Sequence, residues 1–223
     1  MDTEQTFLEA VKAGDRDKVA ELLAQDASLA NSRVENGLSA ILLAAYYGHN
    51  ELAQEIAAQA SRTNIFEAAA VGDLLRVAEL VEADPDQANA FALDGFQPLG
   101  LASFFGHLPV VEYLLIKGAE VNSASNNEQK VLPLHSAVAS QNLPIARALL
   151  EQGAGVNARQ QGDFTPLHGA AQNGQVEMVE LLLDYGAEVE ALSEAGNSAL
   201  DMAVGAGHEE AAKMLRRAQK RSA

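Results

Sequence analysis

A chain of 223 residues is ordinarily one or two globular domains, and 48% hydrophobic residues are enough for a continuous core. Cysteine is absent, which excludes disulfides, thiolate metal sites and a cysteine nucleophile. Net charge is −16; Lys213, Arg216, Arg217, Lys220 and Arg221 crowd the end, leaving 10 basic against 31 acidic groups in residues 1–212, a body that repels phosphate backbones.

In chain order, the first segment reads as a helix pair. Phe7, Ala10 and Val11 face inward, Gly14 ends the first helix, and Asp17 starts a second that buries Val19, Leu22 and Leu23. Asp2, Glu4, Glu9 and Lys12 make its outer face polar. A second pair follows, with Gly37 as its turn residue and a second helix over Glu51–Gln59. Helix then leads almost directly into helix through residues 60–64. The third pair repeats the first: Gly14, Asp15, Val19, Glu21 and Leu22 return as Gly72, Asp73, Val77, Glu79 and Leu80. Gly37, Gly48 and His49 return as Gly95, Gly106 and His107, the mark of a duplicated two-pair block.

The fourth and fifth pairs carry Pro109 and Pro144 in the first turn of their second helices, where proline is tolerated. The fifth has an extra residue in its loop, residues 126–130. It also places Gln141 where the other pairs have glycine, in a left-handed position that costs a non-glycine residue roughly 1–2 kcal/mol. In the sixth, Thr165 caps a helix that starts at Pro166, and Gly174 and Gly186 end its two helices. The seventh ends in Glu209–Ala218, with Ala211, Ala212, Met214, Leu215 and Ala218 inward and Lys213, Arg216 and Arg217 outward. Residues 219–223 are expected to fray.

Aligned on Thr165, the copies start at Gln5, Ser39, Thr63, Gln97, Leu132, Thr165 and Ser198, mostly about 33 residues apart. With T-P-L-H-G-A-A at Thr165–Ala171, P-L-H-S-A at Pro133–Ala137, Y-G-H, F-G-H and A-G-H ending at His49, His107 and His208, and G-A-E-V-N at Gly118–Asn122, the chain resembles the ankyrin repeat family. The resemblance implies an all-α solenoid of about seven helix-turn-helix repeats with short hairpin loops. The repeats fall near 4–34, 35–61, 62–92, 93–125, 126–159, 160–192 and 193–219, in one domain. One hairpin is missing between repeats two and three. The resemblance also implies that His135 and His168 hydrogen-bond at the start of the first helix and toward the adjacent loop.

Catalytic chemistry is not legible. His49, His107, His135, His168 and His208 are spread one per repeat, without H-x-x-x-H spacing for a metal. No nucleophile elbow surrounds a serine, no phosphate loop exists, and carboxylates such as Glu177, Glu180 and Asp184 sit on outer faces. We therefore expect no enzyme, no metal and no cofactor. The N-terminus is acidic with no apolar stretch behind it, so neither a signal peptide nor a membrane span is expected, and the location is expected to be cytoplasmic.

The expected function is a protein-interaction scaffold, monomeric, with a partner that offers a basic surface; nucleic acid is disfavoured. A regulatory or inhibitory subunit that blocks an enzyme or binds a small ligand is the alternative. In the resembling family, contacts come from hairpin tips and from the two residues before each Gly-His. Here those positions include Tyr46-Tyr47 and Phe104-Phe105, with Phe96 after the turn and polar support from Asn126, Gln172 and Asn173. The expected site is the concave face at repeats two to four, opened further by the missing hairpin. Tyr47 and Phe105 are expected to turn inward and Tyr46 and Phe104 outward.

Overall fold

A computed structural model describes residues 3–222, and side chains to residue 220. Asp2 and the side chain of Arg221 lie outside the described residues. Fourteen α-helices and no strand are present among the described residues: α1 Thr3–Ala13, α2 Arg16–Gln25, α3 Ala40–Tyr46, α4 Asn50–Gln59, α5 Ile65–Val71, α6 Leu74–Ala83, α7 Pro98–Phe105, α8 Leu108–Ile116, α9 Pro133–Ala139, α10 Leu143–Glu151, α11 Pro166–Gln172, α12 Val176–Asp184, α13 Ala199–Gly205 and α14 Glu209–Ser222. Odd-numbered helices pack on one another in chain order and form an inner layer. From α6 onward the even-numbered helices do the same on the outside.

Local chemistry sets these ends. Thr165 caps α11, accepting from the His168 amide, with Pro166 at the first helical position as the sequence indicates. Asp15, not Asp17, caps α2 through the Lys18 amide, and Asp73 caps α6 through the Arg76 amide. The cap of α5 is Asn64 rather than Thr63. Its side chain takes the Phe66 and Glu67 amides while Glu67 reaches back to the Asn64 amide. That box makes Asn64 the better cap by one residue. Gln141 does stand at φ 57°, and Lys130 (53°) and Asp163 (57°) share that region without a signal in the repeat pattern. The end of the chain departs from expectation: α14 continues to Ser222 instead of stopping at Ala218.

The apolar core is in two parts. One gathers α1–α4 and Val71; the other runs from Ile65 to Leu215. Phe105 packs against both. They meet where α4 leads to α5 through residues 60–64.

Repeats lock through Gly and His. The Nε2 of His49 donates to the Lys12 carbonyl at 3.0 Å, and that of His107 to Ala70 at 2.9 Å. Each ring lies so close to the preceding left-handed glycine, Gly14 or Gly72, that a Cβ there would stand 2.5 Å from it. Glycine is thus required twice, by its positive φ and by the neighbour's ring. His208 covers Gly174 in the same way.

Candidate functional site

Seven inner helices set side by side present one row of side chains per repeat. The residue after the motif His position is Leu43, Leu101, Ser136, Gly169 and Met202 in repeats two, four, five, six and seven. Where it shrinks to Ser136 and Gly169, the inner surface hollows. A groove of about 510 Å³ lies there, across α7, α9 and α11. Leu101, Val131, Val138, Ala139 and Gly169 give it an apolar lining; Tyr46, Phe96, Phe104 and Phe164 supply aromatic walls. Gln129, Gln160, Gln161, Gln172 and Asn173 line it with amides. A Cβ on Gly169 would lie 3.2 Å from Val138 and 3.5 Å from Phe164, so glycine keeps this part of the groove open.

The expected residues divide. Tyr46, Phe96, Phe104, Gln172 and Asn173 share the groove; Tyr47, Phe105 and Asn126 do not line it. The groove runs across repeats four to six, where the residue after the motif His position falls from Leu101 to Ser136 and Gly169. Phe104 is 41% exposed, and its ring meets Phe105 edge-on at 5.1 Å. Phe105 is half-buried. Tyr47 is 55% exposed and not core. It lies one residue past the end of α3, whereas Phe105 is still inside α7 and is held against the two cores. Asn126 is exposed, and its backbone amide donates to the Gly95 carbonyl at 2.7 Å, joining the hairpins of repeats four and five.

Residues 33–46 and 93–105 touch directly. Leu93, itself 84% exposed, has one methyl beside Gly37, where a Cβ would stand 2.8 Å from it. The Tyr46 hydroxyl donates to Asp94 at 2.7 Å, and its ring packs on Phe105 at 5.5 Å. Burial, then the bond to Asp94, raises the Tyr46 pKa and keeps the phenol protonated. Arg33 donates to the Gly37 carbonyl at 3.0 Å and pairs with buried Glu67 at 3.1 Å. Sequence reasoning missed Phe164, Val131, Ser136 and Gly169. For Ser136 and Gly169 the signal was the shrinking residue after the motif His, visible only once the repeats are aligned for size; Val131 and Phe164 each stand just before a cap position.

His135 and His168 show what a cap contributes. His168 accepts from the Thr165 amide through Nδ1 at 3.1 Å and donates through Nε2 to Asn197 at 3.1 Å. His135 donates to Phe164 at 3.0 Å, but Leu132 stands at its cap position and its buried Nδ1 has no partner. Burial lowers both pKa values, that of His135 to about 4. Among the described residues no three of His, Asp and Glu gather into a cluster able to hold a metal ion, and no helix is long and apolar enough to cross a membrane.

The profile described as "Ankyrin repeats (3 copies)" matches residues 7–124, 65–160 and 134–222. The chain belongs to the ankyrin repeat family. Among curated relatives, the "Ankyrin repeat and SAM domain-containing protein 6" of Rattus norvegicus is 35% identical over 104 residues, 47% of this chain and 12% of that protein. Its Mus musculus counterpart is 38% identical over the same shares. A "Putative ankyrin repeat protein" of Rickettsia felis is 38% identical over 107 residues, 46% of each chain. The chain thus matches less than half the length of each of these relatives. In an ankyrin array His135 and His168 are joints between repeats, each donating to the residue just before the next repeat's first cap.

Proposed function

We propose that this ankyrin-repeat chain is a non-catalytic scaffold, monomeric and cytoplasmic, that binds a partner protein in the groove across α7, α9 and α11. Ankyrin repeats are generally protein–protein interaction modules. The observation that carries the reading is the groove itself, where an aromatic ring, Phe104, stays exposed on a scaffold whose repeats are locked by Gly–His contacts. Rigid exposed aromatics lose little entropy on binding and are the usual anchors of interfaces. The seven-repeat division and single domain read from the sequence belong to this proposal. So does a basic surface on the partner around the groove, to match 31 carboxylates against 15 lysines and arginines.

The test is a Phe104→Ala, Gln172→Ala double variant, with both side chains exposed in the groove. Tyr46 is a poorer choice because its loss also removes the bond to Asp94. The variant should keep its melting midpoint within about 4 °C and lose the protein that wild type captures from native lysate. Capture unchanged at equal stability would refute the groove as the docking site.

A further inference from the structure

The chain carries 31 carboxylates and 15 lysines and arginines, yet not one of these charged residues lines the groove. Two titratable side chains do, and both are neutral: His135 is 5% exposed, its pKa lowered to about 4 by burial, and the Tyr46 phenol is held protonated by burial and its bond to Asp94. The rest of the polar lining is Ser136, Thr165 and five amides, Gln129, Gln160, Gln161, Gln172 and Asn173, and the side-chain groups of these five have no hydrogen-bond partner among the described residues. A carboxamide both donates and accepts, which matches the alternating N–H and C=O of an extended backbone. A partner's Lys, Arg, Asp or Glu drawn into this lining would lose its hydration and find no counter-charge. The three helices α7, α9 and α11 span about 20 Å at ordinary helix spacing, the length of about six extended residues.

Resting on the docking site assigned above, we infer that the occupant is an extended, uncharged segment of the partner polypeptide. One aromatic or large aliphatic side chain of that segment enters the pocket shared by Phe104, Phe164 and Gly169, while the amides hold its backbone. The partner's basic groups lie outside the groove and add attraction at long range only. Affinity within the groove is therefore indifferent to salt, in spite of the chain's net charge.

The test uses the full chain and a phage-displayed library of random heptapeptides as the probe. Selected peptides are resynthesised and their affinity is read by fluorescence anisotropy at about 50 mM and about 500 mM NaCl. The expected peptides share an aromatic or large aliphatic residue with no charged neighbour, and their affinity changes less than about twofold with salt. Phe104→Ala weakens them at least about tenfold. Gly169→Leu, which restores the side chain that Leu101 supplies in repeat four, abolishes binding; each variant's helicity is checked by circular dichroism. Peptides that share a charged anchor, or lose about tenfold in salt, while still needing Phe104 would overturn the uncharged occupant and leave the docking site standing. No enrichment, or peptides indifferent to Phe104→Ala, would sink both.

Discussion

The block α1–α4 and the block α5–α8 carry the same parts and end differently. Gly14 lies under the ring of His49, and Gly72 under that of His107. Asp15 and Asp73 cap equivalent helices. Asp26 and Asp84 cap equivalent 3₁₀ turns at Ala27–Asn31 and Pro85–Asn89. Past Tyr46-Tyr47 the first block leads from α4 to α5 in five residues, 60–64, and nothing stands within 4 Å of a Cβ at Gly48. Past Phe104-Phe105 the second block meets repeat five, and Asn142 stands 3.3 Å from a Cβ at Gly106. Matching aromatic pairs then take different roles: Tyr47 is exposed, Phe105 joins two cores, Tyr46 ties down a hairpin and Phe104 faces the groove. In a repeat array a residue's role is set by the next repeat as much as by its own motif.

The largest effect should separate two glycines that the motif makes equivalent. Gly72→Ala meets left-handed strain and the His107 ring together, and should cost about 3 kcal/mol. Gly48→Ala meets strain alone and should cost about 1–2 kcal/mol. Urea unfolding of both variants measures the difference, and equal losses would mean that the His ring adds nothing.

Acid should act on the second core. His107, His135 and His168 lie in that part of the array, and burial lowers all three pKa values, that of His135 from 6.5 to about 4. The unfolded chain takes up protons below about pH 6.5 while native His135 stays neutral. Stability from His135 is therefore complete above that pH, declines as pH falls toward about 4, and loses no more below it. The loss should be about 3 kcal/mol, and His135→Gln should flatten the profile in this window. A profile unchanged by the substitution would remove His135 as its source.

Smaller effects bear on caps and on the bond between Tyr46 and Asp94. Thr165→Ala should cost about 1 kcal/mol by removing the hydroxyl that caps α11, while its backbone amide still donates to His168 Nδ1. Gln141→Gly should gain up to about 1 kcal/mol by relieving its left-handed backbone, where no histidine ring from the next repeat demands glycine. Tyr46→Phe should cost about 0.5–1 kcal/mol and speed amide exchange in residues 92–96, the hairpin that Asp94 ties to Tyr46. Exchange unchanged there would mean that the bond does not hold the hairpin.

The fold was legible because the ankyrin period is carried by backbone necessity. Thr165-Pro166 can start a helix and do little else, and a left-handed glycine between two helices has few substitutes. The site was half legible. Aromatics before a Gly-His pair stand out, so Tyr46 and Phe104 were readable. The depth of the groove depends on a residue being small, Gly169 and Ser136, and an absent side chain gives no motif. The short stretch between α4 and α5 was readable as a length, but the contacts beside it were not, since Leu93 by Gly37 and Tyr46 on Asp94 are contacts between residues about fifty apart.

The central claim is that the partner occupies the groove of repeats four to six. Amide hydrogen exchange of the full chain, alone and saturated with the captured partner, tests it most directly. The account predicts added protection in residues 96–105, 131–139 and 160–173, with residues 3–31 and 209–222 unchanged. Protection confined to the outer helices, or to the hairpin of repeat two around Glu35, with the groove exchanging as in the free chain, would contradict it.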